Sequence, residues 1–339
     1  MPPRQPPRKR QTSSRSPSRP ACGARLVAKD VSVPQTAPKI ALARRIVRRC
    51  LPRIGALRQY RPRPIKVSRP PDLGVSAERL PSISLVTPSF QQGHFLRQTI
   101  QSVLEQNYPR LEYFVQDGGS KDESAAVLQE FSARLTGWEI APDRGQAHAI
   151  NTAFRRTAGE IMGWINSDDL LLSGALLYVG QFFAQNPDVA VLYGNRVLID
   201  EQGRDIGRWI LPRHDDGVLP WIDYVPQETL FWRRSLWDAV GGHIDESLQF
   251  AIDWDLLLRF QKAGARFAHA RHFLGAFRVH PEQKTSAQNL TVGAHEVALL
   301  RHKYLGFKPT TLQVNRRVFG YLVSHMFEHA RILIRERTG

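Results

Sequence analysis

Two apolar, strand-like runs in this chain each end in a turn that carries aspartate. The first run, residues 111–115, leads into Gln-Asp-Gly-Gly-Ser at 116–120, and the second, residues 161–165, leads into Asn-Ser-Asp-Asp at 166–169. Open α/β sheets bind phosphorylated nucleotides at the carboxyl ends of their strands. The pattern therefore predicts an α/β enzyme whose carboxylates meet at one edge of a sheet.

From residue 83 onwards, strand-like stretches alternate with stretches in which apolar side chains recur at helical spacing. The run at 83–86 is followed by a helical stretch at 95–104, and later strands are predicted near 138–141 and 189–197. Such alternation predicts a mixed, mainly parallel sheet flanked by helices. The second half of the chain is less regular, with a helix predicted to start near Asp253.

The basic residues are concentrated at the N-terminal end. The net charge is +16, and residues 1–72 hold 19 Lys/Arg against 2 Asp/Glu, which leaves 28 against 29 in the rest. Residues 1–75 are predicted to form a mostly disordered arm, because a Pro-, Arg- and Ser-rich segment buries too little apolar surface to offset the entropy of ordering. Within the arm, apolar and arginine side chains alternate at helical spacing, which predicts an amphipathic helix near 39–54.

Three interpretations of the basic arm stay open. A basic amphipathic helix can lie on an anionic membrane surface, and phosphate groups would attract the same charge in nucleic acid. Nucleic acid is the weakest of the three, because no aromatic residues are interleaved with the basic ones and no recognition module is present. The third is a solvated tail, or a start codon assigned too early.

Localisation is predicted from what the sequence does not contain. It has no run of eighteen or more apolar residues and no apolar signal core, and its cysteines, Cys22 and Cys50, show no metal or disulfide spacing. These features predict a cytoplasmic protein, with peripheral contact at the inner face of the plasma membrane through the arm.

Paired carboxylates are the sharpest chemical signal. Asp168 and Asp169 offer the oxygen ligands that suit Mg²⁺ or Mn²⁺, although an Asp-Asp pair can also be a solvated turn. Asp117 can accept a hydrogen bond from a base imide or a ribose hydroxyl, or it can simply hold its own glycine-rich turn. In the third polar break, Asp143 and Arg144 can meet a phosphate, and an ordinary loop ion pair is the alternative.

A carboxylate at a helix start is the candidate base. Asp253 precedes an apolar helical stretch. A helix N-terminus stabilises a carboxylate in its ionised form, and a general base must be ionised to accept a proton. Asp255 lies two residues further on, so the two carboxylates cannot share one helix face.

Taken in order, the motifs resemble those of family 2 glycosyltransferases over roughly residues 83–285. The segments that carry the likeness are Thr87-Pro88-Ser89-Phe90, Gln116-Asp117-Gly118-Gly119-Ser120, Asp143-Arg144-Gly145-Gln146, Gly163-Trp164-Ile165-Asn166-Ser167-Asp168-Asp169 and Ile252-Asp253-Trp254-Asp255.

The resemblance implies a GT-A fold and an inverting transfer of sugar from a nucleotide-sugar donor to a carbohydrate or lipid-linked acceptor, in surface polysaccharide or glycolipid synthesis. It implies that Asp253 is the catalytic base. It also implies a divalent metal ion, bound by Asp168 and Asp169. The residues that it implies as contacts to the nucleotide-sugar donor are Thr87, Pro88, Asp117, Asp143, Arg144 and Asp168.

Two positions depart from the family pattern. Asn166 stands where many relatives have an acid, which leaves the metal ligand uncertain, and Ile252 stands where many have Glu, which leaves Asp255 as an alternative base. His280 is interpreted as a surface histidine, with contact to phosphate or metal as the alternative.

The predicted organisation is an arm at 1–75, a glycosyltransferase domain at 80–310 and a C-terminal helix at 311–339. Two rival functions remain at this stage. A metal-dependent nucleotidyltransferase also presents carboxylates from an α/β sheet, but it normally has a basic phosphate loop after the first strand, and residues 87–93 contain no Lys or Arg. The other rival is a non-catalytic RNA-binding protein that uses the arm.

Overall fold

Alternating strands and helices build the first half of the domain. A computed structural model describes residues 55–281, 283 and 292–338, so the predicted helix near 39–54 lies outside the described residues. In chain order the first elements are β1 (Ile83–Ser89), α1 (Gly93–Leu104), β2 (Leu111–Asp117), α2 (Ser124–Phe131), β3 (Gly137–Ile140), α3 (Gln146–Phe154), β4 (Ile161–Trp164), β5 (Leu170–Leu171) and α4 (Ala175–Gln185).

Longer loops separate the elements of the second half. They are β6 (Val191–Ile199), β7 (Asp205–Trp209), β8 (Phe231–Arg233), α5 (Arg234–Ala239), α6 (Ile252–Lys262), β9 (Phe267–Arg278), α7 (Ala294–Leu305) and α8 (Thr311–Thr338). A short 3₁₀ turn, Gln227–Thr229, leads into β8.

The described strands form one mixed sheet in the order β3-β2-β1-β4-β8-β6-β9-β5, and β7 pairs with β6. The longest pairings, β1 with β2 and β6 with β9, are parallel, whereas β8 runs antiparallel to both β4 and β6. The predicted mixed, mainly parallel sheet with flanking helices is confirmed. Because β1 to β4 are parallel, the turns that follow β2, β3 and β4 all lie at one edge of the sheet.

Helices cover both faces of the sheet. On one face α1 buries Leu96 and Ile100, which lie at the predicted helical spacing, against Ile83 and Leu85 of β1. On the other face α3 and α6 pack over the strands in a second cluster that contains Val86, Trp164 and Trp254. The site edge is therefore fixed by a core on each side.

The start of α2 is not capped by Ser120, although the spacing from Ser120 to Glu123 is that of a capping box. The Ser120 hydroxyl donates to Asp117 and accepts from the Gln91 amide, while Asp122 Oδ1 accepts from the Ser124 amide at 3.0 Å. Asp122 therefore accepts the hydrogen bond from the backbone amide at the start of α2, because the Ser120 side chain is hydrogen-bonded within the turn after β2.

Part of the segment assigned to the arm packs on the domain. Arg63 pairs with Asp205 of β7, the Gln59 amide donates to the Ile206 carbonyl, and the Leu73 amide donates to Gln181 of α4. The packed region thus extends further towards the N-terminus than residue 80. None of the described helices combines the length and the apolar character needed to cross a membrane.

Candidate active site

A cleft of about 970 Å³ opens at the edge where β2, β3 and β4 end. It is bounded on one side by the turns after these strands and on the other by the start of α6 and the loop before β8. Predicted residues on its wall are Pro88, Asp143, Asp168, Asp169 and Asp253. The acidic stretches that lie far apart in sequence therefore converge on one cleft.

Asp253 lies in the first turn of α6 and faces the cleft. Burial raises the pKa of its carboxyl to about 6, an effect that Glu228 reinforces and that the Trp254 amide and Arg196 oppose. The Trp254 amide donates to Oδ1 at 2.9 Å, which fixes the carboxylate at the helix start. A carboxylate with a pKa near 6 is ionised at neutral pH and is a stronger base than an ordinary aspartate.

Asp255, the alternative base, is held away from the cleft. Its side chain is buried, Oδ2 accepts from Arg259 at 2.8 Å, and Oδ1 accepts from Lys303 and Tyr304 at 2.9 Å and 3.1 Å. Asp255 is not among the residues that line the cleft. Two residues along a helix turn the side chain to another face, so the structure brings only Asp253 to the cleft.

The turn after β4 holds its two aspartates differently. Asp168 Oδ2 lies 3.0 Å from His280 Nε2 and 3.4 Å from Gln92 Nε2. Asp169 is buried, with Oδ1 accepting from the Arg278 amide at 3.0 Å and Oδ2 from Asn166 at 3.2 Å. Burial, followed by the charge of Asp168, raises the pKa of Asp169 well above its usual value.

His280 is buried and hydrogen-bonded to Asp168, so its interpretation as a surface histidine is wrong. The neighbouring Asn166 also has a structural account. Its amide nitrogen donates to Asp169 and to Gln227, and its oxygen accepts from Gln146 at 2.7 Å. A carboxylate at this position would have no N–H to donate, so the amide suits the contacts of the turn.

Among the described residues, no group of three His, Cys, Asp or Glu side chains is arranged to hold a metal ion. Mg²⁺ is commonly held by one or two protein carboxylates together with substrate phosphates, so a full protein cage is not required. Asp168, with His280 beside it, has the donor chemistry for such a site, whereas Asp169 uses both oxygens within the protein. The residues therefore fit a cation that is shared with a phosphorylated ligand.

Asp117 and Thr87 do not reach the cleft. Both oxygens of Asp117 are occupied, Oδ1 by the amides of Gly119 and Ser120 and Oδ2 by the Ser120 hydroxyl. Thr87 is fully buried, and its hydroxyl lies 2.9 Å from the Tyr113 hydroxyl. Successive residues of a strand face opposite sides, so Pro88 lines the cleft and Thr87 faces the core.

Asp143 and Arg144 are also separated. Asp143 lines the cleft beside Gly118 and accepts from the Gly145 amide at 2.8 Å. Arg144 is exposed and pairs with Glu246 at 2.6 Å, which is the loop ion pair that the sequence analysis left as the alternative. Phe90, with 60% of its surface exposed, stands at the same end of the cleft as Gly118.

Several cleft residues were missed by the sequence analysis. Arg196 of β6 forms a buried two-point ion pair with Glu228, and Arg196 stacks on Trp209 and Phe277 with ring-centroid distances of 4.9 Å and 4.6 Å. A charged residue inside the mostly apolar run of β6 was the available signal. Glu228 carried no such signal, because it follows a proline in an irregular loop.

Asp223 is a further carboxylate on the wall of the cleft. Burial under the surrounding protein and the charge of Asp253 both raise its pKa well above the usual value. Asp223 is nevertheless exposed to solvent in the cleft. We therefore attribute the raised pKa of Asp223 chiefly to repulsion from the Asp253 carboxylate. Two carboxylates that interact in this way do not both ionise freely, so Asp223 and Asp253 titrate as a pair.

Buried polar atoms on the wall lack protein partners among the described residues. They are Ser89 Oγ, Trp164 Nε1 and Trp209 Nε1, and all three side chains line the cleft. Unpaired buried polar groups are uncommon in proteins and indicate a missing partner. A polar ligand in the cleft would supply it. Four other tryptophans, Trp221, Trp232, Trp237 and Trp254, do not line the cleft.

Residues 84–279 match the family model described as Glycosyl transferase family 2. The chain belongs to glycosyl transferase family 2. This match covers more than half of the sequence and includes every turn that forms the cleft, up to the strand that carries Arg278.

Relatives of this family 2 chain include the O-antigen biosynthesis protein RfbC of Myxococcus xanthus, 30% identical over 211 residues, which are 61% of this chain and 16% of RfbC. The chondroitin synthase of Escherichia coli is 26% identical over 218 residues, 63% of this chain and 31% of the synthase. The chain thus spans only a small part of these relatives.

A solved structure with the same fold is that of S. aureus TarS 1-349 in complex with UDP-GlcNAc. It aligns with a TM-score of 0.55 at 16% identity and covers 72% of each chain. The predicted GT-A fold of this family 2 chain is therefore confirmed.

Proposed function

We propose that this protein is an inverting glycosyltransferase that moves a sugar from a nucleotide-diphosphate donor to an acceptor hydroxyl. One observation carries the proposal: Asp253, a carboxylate with a raised pKa, lies in the same cleft as the Asp168 turn. In this proposal the base and the turn that meets the diphosphate lie on either side of a single reacting bond. The family membership and the GT-A fold support the same reaction class.

The nucleotide would occupy the end of the cleft formed by β1 and the turns after β2 and β3. Phe90 offers an exposed aromatic face for a base, Asp143 an acceptor for hydroxyl or imide groups, and Ser89 an unpaired hydroxyl. Asp117 acts indirectly in this proposal, because its hydrogen bonds hold the turn that presents Gly118 to the cleft. Thr87 and Arg144 are left out of the donor site.

The diphosphate would lie at the turn after β4. Asp168 and His280 would hold a Mg²⁺ or Mn²⁺ ion there, and the ion would neutralise the charge of the departing diphosphate. Asp169 keeps its position in the turn through Arg278 and Asn166. The role of Asp169 is therefore to shape the site.

Asp253 would accept the proton of the acceptor hydroxyl as its oxygen attacks the anomeric carbon. A single displacement of this kind inverts the configuration and needs no enzyme nucleophile. The base must be ionised before attack, which the pKa of about 6 permits at neutral pH. One relative, the beta-1,3-glucosyltransferase WfgD, has a diphosphoundecaprenol-linked sugar in its name as substrate. An acceptor of this class fits the proposed role in surface polysaccharide or glycolipid synthesis.

The test combines ligand binding with turnover. Nucleotide sugars are screened for protection against thermal unfolding with and without Mn²⁺, because a ligand that binds only the native state raises its apparent stability. The protecting donor is then incubated with candidate glycan and lipid-linked acceptors, and the released nucleoside diphosphate and glycosylated product are quantified. Asp253→Asn should retain protection and lose transfer. Transfer by this variant at the wild-type rate would refute the assignment.

The same assay separates the rival functions. A nucleotidyltransferase would release pyrophosphate from a nucleoside triphosphate, and an RNA-binding protein would be protected by RNA and not by nucleotide sugars. The membrane contact of the basic arm and a cytoplasmic location at the inner membrane face belong to this proposal as expectations.

A further inference from the structure

The C-terminal helix α8 is apolar on two opposite sides. Its inner side carries Val314, Val318 and Tyr321, which are buried against the domain, and the Tyr321 ring lies 4.6 Å from that of Tyr224. This side accounts for the helical periodicity seen in the sequence. A helix with only this function would be polar on its outer side.

The outer side is not polar. Leu312, Phe319 and Phe327 are 77%, 66% and 72% exposed, and they are the three most exposed large apolar side chains among the described residues. Their spacing of seven and eight residues, about two turns each, places them along one line of the helix. We call this line, from Leu312 to Phe327, the outer face of α8. It extends over residues 312–327 of the helix.

Basic side chains flank the outer face. Arg316 lies on the same side, between Leu312 and Phe319, and is exposed, as is Lys308 just before the helix. The one acid within residues 311–332 is Glu328, and it is engaged with Arg271 at 3.3 Å and Arg331 at 3.9 Å. The outer face therefore combines exposed aromatic and aliphatic side chains with uncompensated positive charge.

We propose that the outer face of α8 binds an anionic lipid surface, with the helix lying in the plane of the interface. Phe319, Phe327 and Leu312 enter the boundary between headgroups and acyl chains, and Arg316 and Lys308 meet the lipid phosphates. A second copy of the chain is the less suitable occupant. In a self-complementary interface, a second Arg316 would bring like charge to the same narrow apolar line, whereas an anionic surface compensates that charge.

This inference does not depend on the sugar-transfer reaction, because it rests on a surface outside the cleft. It also differs from the membrane contact expected of the basic arm, whose predicted amphipathic helix near 39–54 lies outside the described residues. The experiment must therefore separate the helix from the arm, and this is done by keeping the arm identical in every variant.

The full-length protein is sedimented with vesicles of phosphatidylglycerol and phosphatidylcholine in equal parts, at low and at high NaCl. High salt screens the charge of the arm and leaves apolar insertion in place. Leu312→Ser/Phe319→Ser/Phe327→Ser should lower the partition coefficient by about tenfold or more at high salt. The matched control Asn315→Ser/Ser324→Ala, at exposed polar positions of the same helix, should bind as wild type.

A second variant addresses charge without removing apolar surface. Arg316→Glu should weaken binding to the anionic vesicles at low salt and leave binding to pure phosphatidylcholine unchanged. A cooperative thermal unfolding transition at the wild-type Tm shows that each variant is folded. Wild-type vesicle binding by the triple serine variant at both salt concentrations would overturn the proposal. So would sedimentation equilibrium that shows a dimer in wild type and a monomer in the triple variant, with vesicle binding retained, because the face would then belong to a second copy.

Discussion

Arg196 donates two hydrogen bonds to Glu228, from Nε to Oε1 at 2.8 Å and from Nη2 to Oε2 at 2.6 Å, within the wall of the cleft. Both side chains are almost completely buried, and the guanidinium is further held by the rings of Trp209 and Phe277. Arg196 lowers the pKa of Asp253 and Glu228 raises it. The pair therefore contributes two opposing charges to the surroundings of the proposed base.

Replacing Arg196 with Met should shift the pH dependence of kcat/KM. The acid limb, the part of the profile in which kcat/KM rises with pH, should move to higher pH. The substitution leaves the Glu228 charge near Asp253 without its partner, so the pKa of the base rises and a smaller fraction is ionised at any given pH. It should also cost about 3–5 kcal/mol of unfolding free energy, the usual result of orphaning a buried charge. The measurements are a pH–rate profile and urea unfolding.

The pair is tested further by removing both charges. Arg196→Met/Glu228→Leu should recover most of the lost stability and return the limb towards its wild-type position. Arg204→Met is the matched control, because Arg204 pairs with Asp200 but is half exposed. An unshifted limb in the Arg196 variant would show that the pair acts on folding alone.

For the wild-type enzyme, kcat/KM should rise with pH through about 6 and level off above it, since the proposed base, Asp253, must be ionised and burial raises its pKa to about 6. Asp255→Asn should retain this limb, although it should lower stability by breaking contacts with Arg259 and Lys303. If the acid limb disappeared in Asp255→Asn and remained in Asp253→Asn, Asp255 would be the base in place of Asp253.

Asp253→Asn should stabilise the protein at neutral pH. The folded-state pKa of about 6 lies above the unfolded value near 3.8, so the ionised carboxylate is disfavoured in the folded state and stability falls as pH rises from about 4 to 6. Removing the charge recovers up to about 3 kcal/mol above pH 7. Thermal unfolding should show a higher Tm for the variant at pH 7.5 and no difference near pH 4, and a lower Tm at pH 7.5 would contradict the assigned burial.

Loss of the proposed metal ligands should weaken cation-dependent nucleotide binding. Asp168→Asn and His280→Ala should each raise the Mn²⁺ concentration for half-maximal nucleoside diphosphate binding by about tenfold or more. Calorimetry with and without Mn²⁺ measures this, and metal-free binding by His280→Ala should match wild type. Identical Mn²⁺ dependence in wild type and both variants would place the cation elsewhere.

Gly118→Ala should weaken nucleotide binding with little loss of stability. A Cβ at this position would lie 2.8 Å from Asp143 Oδ2 and 3.2 Å from Phe90 Cδ2, so both proposed donor contacts must move. The Asp143 carboxylate is the end of a movable side chain, which keeps the folding cost small. Gly320→Ala, with no neighbour within 4 Å, is the control. It should leave nucleotide affinity unchanged, as measured by calorimetry, whereas equal affinity in Gly118→Ala would argue against this end as the donor site.

Periodicity along the chain is sufficient to predict a mixed, mainly parallel sheet and the edge that carries the site. Strand and helix periodicities are local properties, and parallel strands joined by helices must end at the same edge, so Asp143 and the 166–169 turn were assigned to it correctly. The order of motifs also indicated the family. The sequence could not separate Asp253 from Asp255, because both residues occupy the first turn of one helix.

Only the tertiary structure decided which side chains face the cleft. Asp117 and Thr87 are turned inward by contacts to Ser120 and Tyr113, and His280 reaches Asp168 across 112 positions of the chain. Arg196 and Glu228 meet because β6 and the loop before β8 are neighbours in the sheet. Such contacts depend on how distant segments pack, whereas periodicity reports only on neighbours along the chain, so no local pattern could reveal them.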